Sequence, residues 1–296
     1  MMKLERIWPL GMLLPAWLAM GWLVSQTQWF WNNRPDLQFG WVVLLLCLYL
    51  FWESWEKRPA FEFRPSWGMA IAGLAGAGLA FLVQIYQAAF GINSATTMGL
   101  ALAILLLVWA NLTFVFGWRG AWHFAMPFGF ILIALPLPGM IYNLIVGNLQ
   151  SVVTSLNVEI LSLAGVPAQR VGSLIQLPNG VVGVDEACSG IRSLQSAVMA
   201  TLFIGYVVLR SNGLRVLLLA VGILLAFLGN VIRSLMLSFV AYRRGLDALD
   251  SFHDTAGWSI LGFTVVGVMF FAWLFGKVEK GTESHAEPPV ANPAAE

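Results

Sequence analysis

Val181–Ser193 reads V-V-G-V-D-E-A-C-S-G-I-R-S. A short polar stretch carries Asp185, Glu186 and Cys188, and runs straight into an apolar helical segment. Two descriptions of the chain turn on it. In one, Cys188 is a nucleophile set at the edge of a membrane. In the other it is a small apolar side chain at the head of one more span. Arg192 follows Cys188 by four residues and shares its face of a helix. A helix N-terminus and a nearby cation both favour the thiolate, while partial burial and the carboxylates of Asp185 and Glu186 oppose it. Arg192 has a second role open to it, pairing with one of those carboxylates. In an apolar chain a cysteine is more often an inert filler, which is the reading for Cys47, in the middle of a hydrophobic segment.

The surroundings are those of a membrane protein. Of 296 residues, 59% are hydrophobic and 10% charged, against about 25% charged in soluble domains. Such a chain cannot cover a water-facing surface. A net charge of +1 argues against a nucleic-acid partner, and two cysteines make no disulfide framework. Hydropathy predicts about eight transmembrane helices. They lie at about 8–24, 39–52, 67–90 and 98–118, from Phe124 to the break at Pro136 and Pro138, from Cys188 to Leu209, from Arg215 to Leu228, and at 258–275. Gly73, Gly76 and Gly78 in the third suit close helix packing.

Between the fifth and sixth spans the pattern changes. From Gly139 to Gly165 apolar residues recur at helical spacing, with Asn143, Asn148, Gln150, Asn157 and Glu159 between them. This predicts an amphipathic helix along the membrane surface. Alternation around Pro178-Asn179-Gly180 predicts a short β-hairpin. The hairpin belongs outside the bilayer, since lipid does not tolerate an open sheet edge. The fold class is thus an all-α polytopic membrane protein with an interfacial helix and a hairpin on its outer side. Residues 1–135 form N-terminal transmembrane helices, 136–276 a core, and 277–296 a cytoplasmic tail expected to be disordered.

With the N-terminus cytoplasmic, ten of the 16 basic residues fall inside: Lys3, Arg6, Lys57, Arg58, Arg64, Arg119, Arg210, Arg215, Lys277 and Lys280. That is the excess the positive-inside rule requires. Both termini are then cytoplasmic, and Cys188, Arg233 and His253 fall towards the outer ends of their helices. Arg233 follows Asn230 by three residues in apolar surroundings, and either serves a function or snorkels to the interface. His253 stands beside Asp254, which either orients its ring or leaves it a solvated bystander. His123 lies on the opposite side and His285 in the tail, so a histidine partner for Cys188 would be His253. Together a thiolate, a histidine and a cation suit acyl transfer through a thioester. Their order along the chain is no obstacle. No H-E-x-x-H run for zinc and no mid-span acid for an aspartyl protease is present, and no cofactor is implied.

Glu186–Arg192 (E-A-C-S-G-I-R), Asn230–Arg233 (N-V-I-R) and His253 resemble the exosortase/archaeosortase family of membrane cysteine transpeptidases. Gly165-Val166-Pro167 and Leu177-Pro178-Asn179-Gly180 look like its bacterial exosortase branch. The resemblance runs from about Pro136 to Trp258. It implies Cys188 as nucleophile, Arg233 as oxyanion-stabilising cation and His253 as general acid/base, with Arg192, Asn230, Glu186 and Asp254 in support. It also implies a substrate class: secreted proteins ending in a short motif such as Pro-Glu-Pro, a transmembrane helix and a basic cluster. These would be cleaved at the outer, periplasmic side of a bacterial cytoplasmic membrane and passed to a surface acceptor, in connection with exopolysaccharide. The alternative is a non-catalytic polytopic protein, a transporter or a partner in polysaccharide export. It needs a polar path through the spans, and Gln84, Gln87, Asn111 and Thr113 are scattered.

Overall fold

A computed structural model describes residues 8–183 and 191–286, with the backbone alone at 8–9, 247, 250–256, 258 and 282–286. Among the described residues six helices are long and apolar enough to cross a membrane, not eight. They are α3 (Trp67–Phe90), α4 (Ser94–His123), α6 (Gly139–Leu163), α7 (Ile191–Val208), α8 (Asn212–Arg244) and the part Ser259–Gly281 of α9 (Leu249–Ala286).

Each lost span has a physical reason. α1 (Leu14–Asn33) spends its second half on Ser25, Gln26, Thr27, Gln28, Asn32 and Asn33, which lowers its hydropathy. α2 (Gly40–Glu56) has 17 residues, about 25 Å of helix against about 30 Å of hydrocarbon. The apolar run after Phe124 holds only α5 (Ala125–Gly129) and a 3₁₀ turn, Phe130–Ala134, before Leu135 turns extended. That is about 15 Å.

The chain forms two compact units, Met1–Asn143 and Leu144–Glu296. In the first, α3 packs on α4 through Gly76, where an added Cβ would lie 2.9 Å from the Ala103 carbonyl oxygen. Gly78 faces open space. Phe51, Trp55, Phe116, Phe124 and Phe128 stack into an aromatic core. α4 kinks at Gly117, whose φ of +72° suits glycine.

The second unit carries the sheet. Its sheet has three strands rather than two: β1 (Gln169–Val171), β2 (Leu174–Leu177) and β3 (Gly180–Gly183), antiparallel in that order. Gly172, at φ +65°, turns β1 into β2, which adds the strand the hairpin reading lacked. Leu177 pairs with Gly180, so Pro178-Asn179 forms the second turn. Ile175, Leu177 and Val182 face inward, in one core with Val153 and Leu161 of α6 and Val231, Leu237 and Ala241 of α8. Arg170 fastens the sheet to α6, donating to the hydroxyls of Ser151 and Ser155. Asn179 fastens it to α8, donating to the Tyr242 carbonyl at 2.7 Å.

By length and composition α6 is a candidate span, yet from Ser151 onward it carries this sheet. A sheet with open edges stays out of hydrocarbon. The second half of α6 therefore runs beside a water-exposed layer, and its buried residues Val153, Asn157 and Leu161 face the sheet side rather than lipid.

α8 has 33 residues, about 50 Å of helix. One end packs in a core of Leu209, Leu218, Val268 and Ala272, the other in the core under the sheet. The α7–α8 turn is held by the Glu279 carboxylate, which accepts from the backbone N–H of Arg210 at 3.0 Å and of Ser211. This contact explains why α9 stays helical to Ala286, where the sequence reading starts a disordered tail at 277.

The glycine contacts give a first test. Gly76→Val is expected to destabilise the protein by about 1–3 kcal/mol through overpacking, and Gly78→Val by less than about 0.5 kcal/mol. Thermal unfolding of the purified protein in detergent checks both.

Candidate active site

Three helices set the level of the site. α7 and α8 run antiparallel, with Gly222 against Thr201 and Gly205 against Leu218. Continuing this register by the helix repeat brings the start of α7 level with residues 230–233 of α8. Leu194 and Asn230 accordingly line one cavity. α9 follows the same logic: Gly222 meets Val268, Gly229 meets Ile260, and Gly257 meets Arg233. The start of α7, the Asn230–Arg233 turn and residues 257–260 of α9 thus share one level. It is the level at which α8 passes from its contacts with α7 and α9 to its contacts with the sheet.

Arg233 is half-buried there. A Cβ built on Gly257 would lie 3.5 Å from its Nη2 and 3.8 Å from its Cζ. A Cβ there would make ordinary van der Waals contact, so the guanidinium lies alongside α9 at Gly257. Position 253 lies one helical turn before Gly257, on the same face of α9. For His253 and Asp254 the structure describes only this helical backbone. Cys188, Asp185 and Glu186 lie outside the described residues. Arg192 is the second residue of α7 and exposed. Asn230 is 2% exposed, and its Nδ2 has no hydrogen-bond partner.

Of the residues set aside from sequence, Cys47 and His123 lie in the first unit, and position 285 falls in the last turn of α9. Cys47 is buried among Trp17, Phe51 and Phe128. His123 holds the Ser54 carbonyl at 2.8 Å through Nε2. Among the described residues no three His, Cys, Asp or Glu side chains gather as a metal site would need.

Two features escaped the sequence reading. Gly257 has no chemistry of its own, and only its spacing of four from His253 could have marked it. Gln195, one turn into α7, buries an Oε1 with no hydrogen-bond partner. Its signal is a polar residue in an apolar run.

The arrangement puts a half-buried cation level with the start of α7, which follows Cys188 by three residues, and beside α9 at Gly257. Neither a curated protein nor a solved structure matches the chain. The sequence profile of the transmembrane exosortase family matches residues 31–272. This stretch contains α7, α8, the sheet and the first turns of α9, and the chain belongs to the transmembrane exosortase family.

Proposed function

We propose that this protein is an integral membrane cysteine protease or transpeptidase that cleaves C-terminal sorting signals from secreted proteins through a thioester acyl-enzyme. The observation that carries the reading is the level shared by the start of α7, Arg233 and residues 257–260 of α9, with the Arg233 guanidinium beside Gly257 and position 253 one turn away. Cys188 precedes Ile191 by three residues, so chain connectivity keeps its Cα within about 11 Å of that level.

The chemistry follows. The Cys188 thiolate adds to the carbonyl carbon of the scissile peptide bond. Negative charge collects on the carbonyl oxygen, and the Arg233 guanidinium stabilises it. As the tetrahedral species collapses the C–N bond breaks, and His253 gives its proton to the departing amine. The thioester left on Cys188 is then taken by an amine of a surface acceptor, which is transpeptidation, or by water, which is hydrolysis. Asp254 orients His253. Asn230, Arg192 and Glu186 support the site from its edges.

The substrates are secreted proteins with a Pro-Glu-Pro-like motif, a transmembrane helix and a basic cluster, sorted in connection with exopolysaccharide. The enzyme is placed in a bacterial cytoplasmic membrane, multi-pass, with both termini inside and the site on the periplasmic side. The excess of basic residues in the loops on the N-terminal side supports this orientation, as does the sheet, which needs water on the side where Arg233 lies.

Two experiments test the reading. Cys188→Ala is expected to abolish processing of a co-expressed C-terminal-signal protein while membrane abundance stays at the wild-type level. With Arg233→Ala or His253→Ala, a hydroxylamine-labile adduct of that protein is expected, absent when Cys188→Ser is added. Full processing by Cys188→Ala would sink the proposal.

The second uses the glycine seat. Gly257→Leu pushes on the guanidinium and is expected to slow processing about a hundredfold, the scale of an ångström's misplacement at a reacting centre. Gly262→Leu, with open space around it, is expected to process normally. Rates measured at matched membrane abundance decide; equal rates for the two variants would remove Arg233 from the mechanism.

A further inference from the structure

One face of α8 is left over once α7 and α9 have packed. α7 takes the side of Gly222, and α9 takes the side of Leu225 and Gly229. The remaining stripe includes Leu217, Ile223 and Leu224, exposed at 47%, 41% and 54%. With Ala220 and Phe227 it follows the three-and-four spacing by which one helix meets another. Leu149 of α6 and Leu194 of α7 wall it on either side and close a cavity of about 290 Å³. Apolar residues facing lipid would be unremarkable in a membrane protein. What sets this groove apart is Asn230 in its lining. Asn230 is 2% exposed, and its Nδ2 donor has no partner among the described residues. A buried donor left unpaired costs roughly 1–3 kcal/mol, and more in hydrocarbon. The groove is complete only with an occupant that brings an acceptor to that depth.

We infer that this groove seats the membrane-spanning segment of the substrate, and that Asn230 donates to a backbone carbonyl where that segment leaves the bilayer. The inference rests on the reading of the chain as a processing enzyme and adds the place where its substrate binds. Three observations favour a polypeptide. The stripe has helix-pairing spacing, and the volume takes side chains of a helix lying across it rather than a whole folded ligand. Asn230 also stands one turn from Arg233 on the same helix. A polypeptide carries a carbonyl acceptor about every 3.3–3.6 Å of extended chain, so a segment held at Asn230 delivers its next peptide units to Arg233. Asn230 is then a positioning residue, which sets which bond meets the nucleophile.

The test uses the full-length protein in membranes. A photoreactive benzoylphenylalanine replaces either Leu224, in the groove, or Met269, 58% exposed on α9. Cys188→Ala stops turnover. The probe is a secreted test protein ending in Pro-Glu-Pro, an apolar span and a basic cluster. An adduct to the test protein at 224 at least about tenfold above that at 269 is expected, a bias of about 1.4 kcal/mol. Leu149→Trp, which fills the groove, is expected to abolish the adduct at 224. In the Cys188-competent enzyme, Asn230→Leu is expected to spread cleavage over neighbouring bonds, read by mass spectrometry of the released product, which mere loss of folding would not do. Lipid adducts alone at 224, or equal adducts at both positions, overturn the inference. Normal processing without an adduct at 224 overturns the seat and leaves the enzyme reading standing. An adduct at 224 with no processing by the wild type does the reverse.

Discussion

The length of α8 constrains everything around it. A helix of about 50 Å cannot lie wholly within about 30 Å of hydrocarbon unless it tilts steeply, and steep tilt is excluded here by two different sets of neighbours. Near its start, Leu218 packs with Leu209, Val268 and Ala272. Further along, Val231, Leu237 and Ala241 pack under a sheet with open edges. The first set suits lipid surroundings and the second does not. A boundary must therefore fall between Leu218 and Leu237, and Asn230 and Arg233 lie in that interval. A cation is cheapest at such a boundary, where its stem is buried and its head reaches water. The placement of Arg233 thus follows from helix length and sheet chemistry.

The sheet is also what holds α6 in place. Arg170 reaches back to Ser151 and Ser155, so β1 lies along the helix instead of projecting from its end. Each of these contacts is polar and local, and each is made by a residue that looks unremarkable in sequence. The hairpin turn and the inward alternation of Ile175 and Leu177 were legible, because period two and a Pro-Asn-Gly turn leave a mark in composition. β1 was not legible. Three exposed residues have no burial pattern to read, and they form a strand because Gly172 turns them onto β2.

The count of eight spans is not confirmed, for a related reason. Hydropathy averages composition and is blind to a break in direction. The run after Phe124 is apolar throughout, but its helix is spent by Ala134. α6 has enough polar residues to look interfacial and enough apolar ones to pass as a span; only its partner, the sheet, separates the two descriptions. The site was legible in part. Asn230 and Arg233 are conspicuous in sequence as polar groups in an apolar run, whereas position 253, which reads as a polar loop, lies inside α9. Gly257 could not be read, because no local pattern links it to an arginine 24 residues earlier.

The two arginines near the start of α7 are separated by their surroundings. Arg192 is exposed, in the first turn of a helix, where the macrodipole already places positive charge and disfavours a cation. Water also screens whatever field it would exert on a reacting group. Arg233 is half-buried, and its guanidinium lies against the backbone at Gly257. A charge so placed acts through a lower effective dielectric than one in water. On the proposed reading, this burial favours Arg233 over the exposed Arg192 for stabilising the oxyanion.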